Sequence, residues 1–94
     1  MLIVAGYLLL DQDDRDAHVT ASSESVRLAR DAAGCFDFAV SADLVDPRRV
    51  NVFERWAHPD DLAAFRASPS DPDAPAVNFD VIREFVIEEF SVAD

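Results

Sequence analysis

Few side chains in this sequence are suited to activating a bond: His18, His58, Cys35, Tyr7, Asn51, Trp56 and the carboxylates. Of these, a histidine exchanges protons nearest neutral pH and is the natural candidate for a general base. His18 falls on the sheet-facing stripe of a predicted helix beside Ser22 and Ser25, where large aliphatics would fill a core. Small and polar residues on such a stripe either leave a cavity or hydrogen-bond to one another. The competing reading puts His18 at the edge of the stripe, in solvent. His58 precedes Pro59 at a predicted helix N-cap, where its role is structural, and the spacing of the two histidines forms no recognised metal site. Cys35 has no basic neighbour to lower its pKa and reads as a small buried hydrophobe rather than a nucleophile. A buried Trp56 needs a partner for its indole N–H and could offer that hydrogen to a ligand oxygen. Asn51 shares a strand face with Phe53 and Arg55; buried there, its amide could orient a substrate hydroxyl, and the alternative is that it is solvated.

The elements that must position these groups follow from patterning. Residues 2–10, LIVAGYLLL, predict a strand with Gly6 marking a bulge or a close approach. Asp11, Asp13 and Asp14 supply an N-cap and first-turn charge for a helix over 14–32, which Gly34 ends in the left-handed conformation. A second strand over 35–45 alternates Phe36, Phe38, Val40 and Ala42 against Cys35, Asp37, Ala39, Ser41 and Asp43. A turn at Asp46-Pro47-Arg48-Arg49 leads into a third strand over 50–57, antiparallel to the second. Pro59 at N1 and the acids after it start a helix over 59–67. A proline-rich loop over 68–76 follows, then a fourth strand over 81–90 with Arg83, Phe85, Ile87 and Glu89 on one side and Ile82, Glu84, Val86, Glu88 and Phe90 on the other. The order β-α-β-β-α-β over one domain, 1–94, predicts an α+β ferredoxin-like fold with a four-stranded antiparallel sheet.

Composition narrows the partners. Nineteen acidic residues face eight basic ones, all arginine, for a net charge of −11. That surface repels phosphate backbones and anionic lipid, so nucleic acid and membrane are not expected partners. The single cysteine excludes an internal disulfide and a cysteine-based zinc site, and the chain has only two glycines, too few for a phosphate-cradling loop. No metal or cofactor is expected. The apolar run at 2–10 is too short to cross a bilayer and lacks the basic flank of a signal peptide, so the cytoplasm is the expected location.

Two helices cover one face of four strands, so a monomer's other face should be polar. Here the first strand is apolar at nearly every position, and the third carries Phe53 on one face with Val50, Val52 and Trp56 on the other. An exposed apolar face of that size marks an interface, and the economical occupant is a second copy, giving a homodimer. The alternative is that loops bury the first strand.

Three segments, LIVAGYLLL, AAGCFDF and NVFERWAHPDDLAAF, together resemble the antibiotic biosynthesis monooxygenase family over roughly residues 2–67. Its most specific elements are Gly34-Cys35 followed by Phe38, and Glu54-x-Trp56 ahead of a helix. The resemblance implies a dimeric α/β barrel with a pocket between sheet and helices. It also implies oxygenation of an aromatic polyketide or quinol-type molecule without metal or flavin, the substrate itself supplying electrons to O₂. Such a protein binds a flat phenolic ring, promotes its deprotonation and stabilises the anion. Carried over by position, the resemblance makes Trp56 a pocket-wall donor and Glu54 a typical strand residue. Val52 stands where polyketide-oxidising members carry an asparagine, and Phe65 or Arg66 where many quinol-type members carry a histidine. Position 18, commonly large and apolar in the family, is His18. The expected site is therefore His18 as base, Trp56 and Asn51 as donors, and Ser22, Phe38 and Phe65 as substrate contacts. A non-catalytic barrel that binds a small hydrophobic ligand is the rival reading, and a filled interaction module the third.

Overall fold

In the computed structural model, residues 1–68 and 79–93 are described. They form β1 (Leu2–Leu10), α1 (Gln12–Ala21), α2 (Ser23–Arg30), β2 (Cys35–Ala42), β3 (Arg49–Trp56), α3 (Pro59–Arg66), a 3₁₀ turn over Phe79–Val81 and β4 (Ile82–Ser91). The sheet has the order β2-β3-β1-β4 and every neighbouring pair is antiparallel. This is the expected α+β ferredoxin-like arrangement, with the first helical segment divided in two. From residue 69 onward the predicted 68–76 loop lies outside the described residues.

The strand that is apolar on both faces, β1, is central, which is where such a pattern belongs. Its inner face carries Leu2, Val4, Leu8 and Leu10, all buried. Gly6 interrupts that series with φ +155°, and a Cβ there would stand 2.0 Å from the Val86 carbonyl oxygen of β4. A side chain would therefore break the β1–β4 approach, and its absence leaves the inner face open between Val4 and Leu8. Two packed clusters flank this gap. One joins Leu2, Val4, Trp56 and Leu62, and the other joins Leu8, Leu10 and Val50. Each full burial of such a side chain contributes about 1.5–3 kcal/mol.

The helix expected over 14–32 is interrupted at Ser22. Its hydroxyl donates to the His18 carbonyl at 2.9 Å, and its N–H donates to the same oxygen at 3.0 Å and to Val19 at 3.2 Å. A serine bonding back to the i−4 carbonyl bends helices slightly, and the division falls at this residue although its own ladder bond is kept. Arg15 ties α1 to the β2–β3 turn by directing Nη1 at the carbonyls of Asp46 (3.1 Å), Arg49 (3.3 Å) and Asp43 (3.5 Å). His18 follows one turn later on the same side of α1. Gly34, at φ +80°, adopts the expected left-handed conformation, three residues beyond the C-cap at Asp31. A Cβ at Gly34 would meet Asp61 Oδ2 at 2.2 Å.

Two irregularities move residues off the faces that simple alternation assigns. The β2–β3 register shifts between Cys35 and Asp37, so Phe36 leaves the face of Phe38 and lies under Arg55, whose Cζ is 5.6 Å from the Phe36 ring centroid, while Cys35 packs on the core. The β1–β4 register shifts between Leu9 and Leu10, which pairs Ile82 with Leu10 and packs it inward, away from Glu84 and Val86. The outer sheet face retains Phe53, Val86 and Phe90 in partial exposure, with no described helix over it.

Candidate functional site

Between the two core clusters lies a cavity of about 270 Å³. The sheet contributes Val4 and Leu8 from β1, Phe38 and Val40 from β2, Val52 and Glu54 from β3, and Phe85 and Ile87 from β4. The helical side contributes His18, Ser22 and Ser25, then Leu62, Phe65 and Arg66 from α3, with Phe79 at the margin. Most of this wall is apolar, and four of its members are phenylalanines, which suits a flat, largely hydrophobic ligand.

Two titratable groups are sunk in that wall. His18 is 6% exposed, and its Nδ1 is buried without a hydrogen-bond partner among the described residues. Desolvation lowers its pKa below the ordinary histidine value, so the ring is neutral at neutral pH and able to accept a proton. Leaving a buried ring nitrogen unpaired costs free energy. Ser22 does not satisfy it, because its hydroxyl is donated to the main chain.

Glu54 is the second group, also 6% exposed. Its Oε1 accepts the Trp56 indole hydrogen at 3.1 Å. Burial pushes its carboxyl above the usual range; the Trp56 bond and the Arg66 charge act in the other direction, and Glu89 adds to the rise. Trp56 itself is fully buried behind this carboxylate, in an aromatic group with Phe38 (6.5 Å, 88° between planes) and Phe65 (5.6 Å, 34°).

The structure thus brings together His18, Ser22, Phe38 and Phe65 from the expected set, and changes the arrangement of the other two. Trp56 is not on the cavity wall; its only N–H is spent on Glu54, and it supports the site through that carboxylate. Asn51 lies on the outer sheet face because residues 51 and 54 have opposite parity in β3. There it accepts from Arg49 Nε at 2.7 Å and donates Nδ2 to Asp43 Oδ1 at 3.0 Å. Sequence reasoning valued Glu54 only as a family-typical strand residue. The signal that could have raised it was its i, i+2 relation to Trp56, which places an acceptor and a donor side by side on one strand face.

Cys35 is partly buried, and burial pushes its thiol pKa upward, against a nucleophilic role. Among the described residues no group of three or more His, Cys, Asp or Glu side chains is placed to hold a metal ion, and no helix is long and apolar enough to cross a membrane.

Comparison with solved structures finds the same fold in several bacterial proteins. A protein provisionally named an antibiotic biosynthesis monooxygenase, from Nitrosomonas europaea, superposes with a TM-score of 0.84 at 17% identity, covering 98% of each chain. One of the same provisional name from Deinococcus radiodurans gives 0.82 at 19% identity, over 100% of this chain and 94% of its own. A third from Chloroflexus aurantiacus gives 0.77 at 24% identity, over 99% and 93%. No curated protein sequence matches the chain. The sequence model for antibiotic biosynthesis monooxygenase matches residues 1–71, and with that match the chain belongs to the antibiotic biosynthesis monooxygenase family.

Proposed function

We propose that this protein is a cofactor-independent monooxygenase that oxidises an aromatic polyketide or quinol-type small molecule, working in the cytoplasm as a homodimer. The observation that carries the reading is a buried histidine, His18, in the wall of an aromatic-lined cavity of about 270 Å³, with no side-chain hydrogen-bond partner for its Nδ1 among the described residues. A neutral imidazole there takes the proton of a phenol or an enolisable ketone, and the resulting electron-rich anion reduces O₂ directly. For an anthrone, the reacting CH₂ carbon loses both hydrogens and becomes a carbonyl. One oxygen atom of O₂ enters that carbonyl, and the other leaves as water with the two hydrogens. The ring supplies the electrons, so no flavin or metal enters the balance. The apolar walls lower the polarity around the anion, and the phenylalanines hold the ring plane.

The homodimer rests on the outer sheet face, where Phe53 is 38% and Phe90 47% exposed while all the described helices occupy the other side. A second copy placed sheet to sheet buries these groups.

The test is anaerobic mixing of the protein with anthrone, followed by admission of oxygen and spectroscopic measurement of quinone formation. The expected result is a rate well above the buffer control that falls to the control in His18→Phe. A wild-type rate equal to the control overturns oxygenation; retained saturable binding of the ring would then identify the non-catalytic, ligand-binding barrel.

A further inference from the structure

Glu54 is a buried titratable group that proton abstraction by His18 leaves unused. One of its oxygens, Oε1, is fixed by Trp56 at 3.1 Å, and Oε2 has no hydrogen bond among the described residues. The side chain lines the cavity from β3, while His18 lines it from the helical side. Trp56 is fully buried in a three-ring cluster with Phe38 and Phe65, so the indole that holds one carboxylate oxygen is itself fixed by packing. The cavity therefore has a proton acceptor on a helix and a buried carboxylate on the sheet, with the half-exposed Arg66 of α3 at its rim. Apolar residues make up most of the wall between them.

We infer that Glu54 is a specificity-determining residue of the cavity, whose free carboxylate oxygen accepts a hydrogen bond from a ligand hydroxyl and so selects hydroxylated, reduced aromatic rings over the carbonyl-bearing rings formed by their oxidation. This rests on the functional reading above and adds to it the class of ligand end that the sheet side receives. A carboxylate only accepts hydrogen bonds. Offered an aromatic O–H it forms a charge-assisted bond; offered a quinone carbonyl it faces a second acceptor, and both are left buried and unpaired. Discrimination by hydrogen-bonding complement is steepest where the polar group is itself buried, as Glu54 is. For a quinol, whose O–H groups become carbonyls, oxidation converts the favoured partner of Glu54 into a disfavoured one, which promotes product release.

The charged and titratable groups around Glu54 come from every neighbouring layer: Arg66 on α3, Glu89 on β4, Cys35 on β2 and His18 on α1. Arg66 favours the carboxylate and Glu89 opposes it, and the two are themselves 3.7 Å apart and solvated. Burial raises the carboxyl's titration, so acidification converts Glu54 to a donor at a higher pH than for an ordinary glutamate. Selectivity should weaken there, because a protonated carboxyl can donate to a quinone oxygen.

The experiment is anaerobic titration calorimetry of the full chain with 2,3-dimethyl-1,4-dihydroxynaphthalene and with 2,3-dimethyl-1,4-naphthoquinone. Substitution of the ring carbons blocks addition of the Cys35 thiol. At neutral pH the wild type should bind the quinol about tenfold or more tightly than the quinone. Glu54→Gln, whose amide both donates and accepts, should bring the two affinities within about threefold of each other, with unchanged circular dichroism. In the wild type the preference should shrink on acidification, and in Glu54→Gln it should not. Equal affinity of the wild type for the two rings, no binding of either, or a preference that survives in Glu54→Gln overturns the inference. Discrimination without oxygen-dependent turnover supports it while overturning the proposed oxygenation, so the two ideas fail separately.

Discussion

Trp56 Nε1 donates to Glu54 Oε1 across 3.1 Å, two residues back on the same face of β3. Each residue is nearly or fully buried, and each solves the other's polar requirement: the indole needs an acceptor, the carboxylate a donor. Trp56→Phe retains an aromatic ring and strips the carboxylate of its donor. The variant should lose about 1–3 kcal/mol of stability in urea denaturation. Its Glu54 carboxyl should titrate still higher, as followed by carbon NMR of the labelled side chain.

Glu54 also sets a pH signature. Its folded-state pKa is raised above the ordinary 4.5, so its contribution to stability is fully present below that value and is lost as pH rises through the folded pKa. Glu54→Gln removes the dependence. The stability of the variant relative to wild type should therefore improve from about pH 4 to about pH 7, measured as paired denaturation midpoints. A constant difference would show that the buried carboxyl carries no such cost.

His18 runs with the opposite sign. Its folded pKa is depressed below 6.5, so stability is fully present above that pH and is lost as pH falls toward the lowered folded value. His18→Phe retains a ring and removes the unpaired Nδ1. At neutral pH the variant should be as stable as wild type or about 1 kcal/mol more so, and it should lack the loss below pH 6.5. If His18 is the base, the same variant oxidises anthrone at the buffer rate. A gain in stability coupled to a loss of turnover is the mark of a group kept for chemistry.

Asn51 tests whether the outer face takes part in ligand binding. It joins Arg49 and Asp43 in a polar cluster whose centre is Asp43; backbone N–H groups of Asp46 and Val45 and the Asn51 amide hold the Asp43 carboxyl down to about 2. Asn51→Ala should leave ring affinity unchanged and weaken the β2–β3 turn, seen as faster amide exchange at Val45 and Asp46. Because the Asp43 pKa is depressed, the stability of this turn is complete above the ordinary 3.8 and should fall between there and about 2. Asp43→Asn should flatten that acid transition.

The element order was legible because each boundary carries a local chemical mark: the acids at 11–14, Gly34, the Pro47 turn and Pro59 at N1. So was the cavity beside His18, since serines at positions 22 and 25 replace the bulk that closes a core. What alternation could not supply was the register at the two shifts, Cys35/Asp37 and Leu9/Leu10, because a bulge depends on the partner strand. The division at Ser22 depends on which acceptor its hydroxyl takes. The parity of Asn51 was readable and already placed it on the face of Phe53. The bond that turned Trp56 from cavity donor into support for Glu54 shows in the sequence only as an acceptor and a donor two residues apart on one strand face, and whether they meet is decided by packing.

The proposed dimer turns on two exposed side chains in different places. Phe53 lies on the outer sheet face between Ala5 of β1 and Ala39 of β2. Leu44 is fully exposed in the β2–β3 turn, outside the sheet. Light scattering of the wild type at micromolar concentration should give twice the chain mass of 10.4 kDa. Phe53→Glu places two unpaired charges in the paired interface, one per copy, and should give a folded monomer by mass and circular dichroism. Leu44→Glu adds the same charge to the chain and should remain a dimer. A wild-type monomer mass, or dissociation by both variants alike, would refute pairing through the sheet face. Their divergence would locate it there, because net charge is changed equally and only position differs.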